Sequence, residues 1–166
     1  MPRNTFQQAC SVPCAIELGR VNAKRQARRE NAQARAKLET RRDLLKKVQM
    51  AFNAWVRIRD SELPCISCGR HHNGQWHAGH YLSTAARPEL RFEPLNCWKQ
   101  CAPCNTHLSG NIALYRAELV RRIGGEKVEW LEGPHAARKW TIEELMELQM
   151  HYRMLRENPG PWLDIG

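Results

Sequence analysis

The chain has 166 residues, 42% of them hydrophobic and 26% charged, which suits one domain with a small core plus extensions. With 26 Lys+Arg against 17 Asp+Glu, its formal charge of +9 points to a polyanionic partner, most simply nucleic acid. No apolar run reaches the roughly 18 residues a membrane span needs, and MPRNTFQQACSVPCAIEL lacks the apolar centre of a signal peptide, so a cytoplasmic protein is expected.

In that reducing compartment cysteines are metal ligands or free thiols, and seven of them cannot form a closed disulfide framework. Residues 1–18 are read as an irregular N-terminal segment, because Pro2 and Pro13 limit helix. Cys10 and Cys14 are either free thiols or half of a metal site shared between two chains. Residues 19–43 are read as a projecting basic helix. Between Gly19 and Lys47 there are eleven Lys/Arg and three acids, mostly among good helix formers, with few large apolar side chains before Leu44. Arg25, Arg28, Arg29, Arg35, Arg41, Arg42, Lys46 and Lys47 are its candidate phosphate contacts.

Residues 44–166 form the third segment, a zinc-stapled domain with flanking helices. Leu44, Val48, Ala51, Phe52, Trp55 and Ile58 recur at helical steps and predict one apolar face, with Arg57 and Arg59 outside it and free to face nucleic acid. Pro64 ends that helix. Asn73-Gly74 is a hairpin signal, with Gln75–Leu82 as the returning strand. His71 and His72 fall in the presumed turn and are read as surface residues. Residues 83–95 should be a loop anchored by Leu90 and Phe92. A helix is expected after Asn105, at once or from Asn111, up to Gly124-Gly125. Thr141-x-x-Glu144 is a capping box that should start a helix running to about Arg156 and closed by Pro159-Gly160-Pro161. Trp130, Trp140 and Trp162 are expected to be core or lid residues.

Chemistry concentrates between Cys65 and Asn111. Cys65/Cys68 and Cys101/Cys104 are two Cys-x-x-Cys pairs, the spacing that delivers tetrahedral thiolates to structural zinc. Cys97 falls outside that spacing and is read as a non-ligand. A unit of this size needs such a staple to hold a rigid site. Between the pairs lie His77 and His80, with Asn105 and His107 just after. A neutral imidazole can take a proton from water, and an amide oxygen with an imidazole can hold a divalent ion at a phosphate. His80 with Asn105 and either His77 or His107 provides that set.

The order Cys-x-x-Cys, Gly-His, Asn, Cys-x-x-Cys-Asn resembles an H-N-H (ββα-metal) endonuclease. Further stretches resemble the phage NinG (Rap) recombination proteins: Arg57-Ile58-Arg59-Asp60 before Leu63-Pro64-Cys65-Ile66-Ser67-Cys68-Gly69; Ala78-Gly79-His80-Tyr81; Leu90-Arg91-Phe92; Gln100-Cys101; Cys104-Asn105-x-His107-x-Ser109-Gly110-Asn111; and Trp140-Thr141-Ile142-Glu143-Glu144. This resemblance covers roughly residues 45–156. It implies an α+β, mainly helical fold around a zinc-stapled ββα-metal core. It also implies an endonuclease acting on branched DNA recombination intermediates of the Holliday-junction or D-loop type, in the host cytoplasm, with a homodimer as an expectation of symmetric cutting. His80 matches the general base and Asn96 the middle asparagine, which fixes the loop. Asn105 matches a ligand of the catalytic Mg2+ or Mn2+, with His107 as a second candidate. Two departures stand out. The family pattern has aspartate where this chain has His77, which removes a negative charge and favours softer metals over magnesium. The family's N-terminal zinc-binding segment is also expected to be shortened, leaving Cys10 and Cys14. The alternative function is a non-catalytic zinc-stabilised DNA-binding protein.

Overall fold

In a computed structural model, residues 9–37 and 40–158 are described, with side chains omitted for 32–37. The expected phosphate contact of the Arg35 side chain, and the features placed on Pro2, Pro159-Gly160-Pro161 and Trp162, lie outside the described residues. The chain divides into two compact units, residues 1–40 and 41–166.

The first unit is helix α1, Val12–Lys37. It begins earlier than expected, within the segment read as irregular. Pro13 stands in its first turn, where the missing N–H would have no helical partner in any case. The exposed thiols of Cys10 and Cys14 lie 3.4 Å apart at its start.

The second unit opens with α2, Arg41–Arg59. The basic stretch is therefore carried by α1 and α2, not by one helix over residues 19–43. Asp43 in the first turn of α2 complements the helix N-terminus and marks a fresh start there. Leu44, Val48, Phe52, Trp55 and Val56 form its buried face. Ile58 is 37% exposed, because Val56 occupies the core position that the expected stripe gave to it. Two short antiparallel strands follow, β1 (Trp76–His80) and β2 (Cys97–Cys101), paired from Trp76↔Cys101 to His80↔Cys97. The expected hairpin across Asn73-Gly74 is not formed. Residues before that turn are used up by the cysteine knuckle, where Cys65 N–H donates to the Arg70 carbonyl and Gly69 N–H to that of Cys65. The hairpin is instead closed by residues 81–96. This loop carries 3-10 turns at Pro88–Leu90 and Pro94–Asn96 and is anchored by buried Leu90 and Phe92.

Helix α3 (Ile112–Ile123) restarts at Asn111, whose left-handed conformation (φ 46°) breaks it from the turn before. Gly124, at φ 85°, ends it, and α4 (Gly125–Glu132) follows. Helix α5 (Ile142–Glu157) begins at Thr141 with both capping-box hydrogen bonds present. Trp140 is buried, but Trp130 is 50% exposed and is not a core residue. The result is a mainly helical α+β unit in three layers. One core joins α2, α5, Phe92, Cys97 and Trp140. The other joins Ile66, Tyr81 and Leu90 to Tyr115, Leu119, Val128 and Leu131 of α3 and α4. The β-ribbon lies between them.

A buried ion pair ties α2 to the ribbon. Asp60 accepts two bonds from Arg59 and one from the Lys99 N–H, while Arg59 also donates to the carbonyls of Pro94 and Cys97. The Arg59 guanidinium stacks on Trp55 and Trp98, so this arginine is structural and does not face nucleic acid as expected. Removing one partner of a buried pair leaves a charge without compensation. Asp60→Ala should therefore lower stability by about 3–5 kcal/mol, read from urea unfolding of the zinc-loaded protein.

Candidate metal centre and adjoining cleft

The Sγ atoms of Cys65, Cys68, Cys101 and Cys104 all lie within 4.8 Å of one another. Tetrahedral zinc with Zn–S bonds of about 2.3 Å requires Sγ separations of about 3.8 Å, and Cys68 and Cys101 stand 3.9 Å apart. The donors therefore fit zinc. Among the described residues this is the one cluster of three or more His, Cys, Asp or Glu side chains placed to hold a metal. Local backbone explains the convergence. Gly69, at φ 66°, turns the chain after the first pair. A π-helical turn, Pro103–His107, follows β2 and brings Cys104 back beside Cys101. Burial raises the Cys101 thiol to about 12. Burial also opposes ionisation of Cys65, but N–H groups of Cys68, Cys101 and Ser67 outweigh it and lower that thiol. Cys97 belongs to the hydrophobic core and not to the cluster. His72, expected at the surface, is half-buried instead, with Nε2 3.3 Å from Cys68 Sγ and its ring against Trp76, because the knuckle folds its turn back onto the sulfurs.

Strand alternation determines which of the other candidates meet. Ala78 and His80 pack toward α2 and Trp76 lies against the cysteine cluster, whereas His77 meets Asn105 and the Gly79 carbonyl accepts from Tyr115 of α3. His77 Nδ1 lies 2.9 Å from Asn105 Nδ2, so these two are brought together. They line a cleft of about 440 Å³ with Gln75, Trp76, Ala78 and, from α2, Asn53 and Arg57. His80 lies on the opposite face. Its Nε2 bonds the Arg91 carbonyl at 2.9 Å, its Nδ1 is 3.7 Å from Cys97 Sγ, and its ring packs on Phe52. Burial lowers its pKa, so the ring is neutral at neutral pH. Asn96 is fully buried. Its amide donates to the carbonyls of Leu82 and Leu90 and accepts from the Leu82 N–H, clamping the 81–96 loop. His107 is exposed at the end of the π-helical turn and lines neither the cleft nor the cysteine cluster.

Arg25, Arg28 and Arg29 are exposed on α1. In the second unit Arg42, Lys46 and Lys47 are exposed, while Arg41 donates through Nε to the Trp140 carbonyl. A groove of about 560 Å³ between α2 and α5 is lined by Lys47, Arg57, Arg153 and Arg156. Arg57 and Asn53 border both groove and cleft. Arg153 and Arg156 are new participants. Their signal in the sequence is a basic pair three apart at the end of α5, flanking its apolar stripe.

A family profile described as "Bacteriophage Lambda NinG protein" matches residues 1–158. The chain belongs to the NinG family. Family similarity thus reaches beyond the stretch 45–156 that carries the motifs. Over 116 residues, 70% of this chain, it is 48% identical to Protein ninG of Escherichia phage 933W and 49% identical to that of Escherichia phage lambda. The Salmonella phage P22 protein is 47% identical over the same length. These matches span 58%, 57% and 57% of those relatives. No solved structure gives a significant match. No helix of the described residues is long and apolar enough to cross a membrane.

Elemental analysis of this NinG-family chain should give one zinc per chain. Cys101→Ser should lower the content toward zero and, because binding is coupled to folding, should reduce cooperative unfolding, as followed by circular dichroism.

Proposed function

We propose that the chain is a metal-dependent endonuclease for branched DNA, of the kind that its H-N-H-like motif order implies. The observation carrying this reading is the His77–Asn105 pair set in a cleft that shares Arg57 with a basic groove. A DNA backbone lying along Lys47, Arg153 and Arg156 would be led by Arg57 to the imidazole and the amide. His77 and Asn105 would hold the divalent ion, which supplies charge to stabilise the phosphate and the leaving oxygen. With a histidine where the family pattern has aspartate, the donors are neutral and favour manganese or another borderline ion over magnesium.

His80 is the proton acceptor of this reading. Nε2–H donation to the Arg91 carbonyl selects the tautomer with its lone pair on Nδ1, and burial keeps the ring uncharged. Asn96 acts at one remove, by holding the loop that carries Arg91. Long basic helix α1 adds sequence-independent affinity. Substrate branching and a homodimer that cuts two strands follow from the family resemblance.

A second reading is favoured by one observation. Nδ1 of His80 faces Cys97 and not the cleft, which suits a zinc-stabilised DNA-binding protein without chemistry. The two separate on a panel of four-way, three-strand and linear DNA incubated with Mg2+, Mn2+, Co2+ or Ni2+. The nuclease reading expects cutting of the branched substrates, most strongly with Mn2+. His77→Ala and Asn105→Ala should each reduce it by about 10²-fold or more, and His80→Gln by about 10²–10⁴-fold, with junction binding kept. Salt-sensitive binding with no cutting by any of these ions would leave only the binding reading. Full cutting by His80→Gln would remove that residue as the base.

A further inference from the structure

Gln100 lies opposite His77 in the strand pairing, on the same face of the ribbon, and is fully buried. Its amide orientation is fixed by its neighbours. Nε2 donates to Ser67 Oγ and to the Gly110 carbonyl, both at 2.6 Å, and Ser67 Oγ–H donates to that same carbonyl at 3.0 Å. A flipped amide would set oxygen against oxygen at Gly110. Gln100 Oε1 must therefore face Gly79, where it accepts no hydrogen bond from any described residue. A buried acceptor without a partner is costly, so its aim calls for an explanation.

Asn105 supplies one. A Cβ at Gly79 would lie 2.1 Å from Gln100 Oε1 and 3.0 Å from Asn105 Oδ1. Two amide oxygens thus converge over the one residue of β1 that has no side chain, beside the His77 imidazole. Asn105 Nδ2 is turned to His77, which leaves Oδ1 on the Gln100 side. Two acceptors with no donor between them form a place for a cation.

We infer that Gln100 is a ligand of the divalent ion, with Oε1 completing a set formed with Asn105 Oδ1 and His77. Its three donors are uncharged, so a bound ion keeps its full double charge toward phosphate. An imidazole with two amide oxygens suits Mn2+ and similar borderline ions. A side chain at Gly79 would collide with Gln100 Oε1, so the glycine is what lets this amide reach Asn105. The inference rests on the metal-dependent reading of the cleft for its occupant, and it adds a residue which that reading does not contain.

The test is a Mn2+ titration of the full chain, 15N-labelled and zinc-loaded. Paramagnetic broadening should reach the side-chain amides of Gln100 and Asn105 together, before other side-chain amides. Gln100→Met, which keeps length but has no amide, should weaken Mn2+ binding by at least about tenfold while one zinc per chain is retained. A sharp Gln100 resonance when that of Asn105 has broadened would overturn the inference. So would unchanged Mn2+ affinity in folded Gln100→Met. If that variant loses its zinc, broadening in the unsubstituted chain decides alone. Weakening by His77→Ala and Asn105→Ala but not by Gln100→Met would reject Gln100 and leave the cleft as a metal site. Joint broadening in a protein that cuts no DNA would reject the nuclease and keep the Gln100 assignment.

Discussion

Four sulfur atoms gathered within 4.8 Å set the junction between α2, the ribbon and the π-helical turn. The ribbon has two five-residue strands, and a two-stranded hairpin is marginal in water by itself. Cys65 and Cys68 come from the knuckle after α2, whereas Cys101 and Cys104 flank the end of β2. Bringing them together fixes the approach of α2 to the ribbon and the path of the chain into the π-helical turn. The Arg59–Asp60 pair secures the same junction from the other side, by capturing carbonyls of Pro94 and Cys97 and the N–H of Lys99. Helices on both faces then bury what the ribbon cannot shield.

That framework assigns separate tasks to the two faces of β1. One is dry and holds Ala78 and His80 against Phe52 and its neighbours. The other holds His77 and Gly79 with Gln100 and Asn105, polar groups that are only partly matched to one another. The cleft wraps the strand edge between these faces, which explains why Ala78 and His77 both line it. Arg57 reaches the same edge from α2. The positive charge evident in the composition is therefore not spread evenly over this unit, since part of it forms a track ending at the cleft.

Much of this was legible in the residues. Two Cys-x-x-Cys pairs identified the cluster, because thiolate geometry needs little context. Capping chemistry marks the start of α5, and of the two starts open to the helix after Asn105 the one at Asn111 is found. The hairpin was misplaced because Asn73-Gly74 has the right local chemistry, and only the hydrogen-bonding demands of the knuckle exclude it. Helical periodicity puts Arg59 at the surface and cannot foresee a guanidinium held between two indoles. Separation of His77 from His80 follows from period-two alternation once Trp76–His80 is a strand. The place of Gln100 opposite His77 is not legible in the sequence, because it depends on register with β1, and register is a long-range property.

The π-helical turn has a consequence for how the two sites age together. Cys104 and Asn105 are adjacent, yet one belongs to the thiol cluster and the other to the cleft. No flexible linker separates the sulfur frame from the amide it positions. Damage that spreads the cysteines, such as oxidation or attack by a thiol reagent, must also move Asn105 and uncouple it from His77. The cleft is then only as durable as the redox state of sulfurs that supply none of its lining.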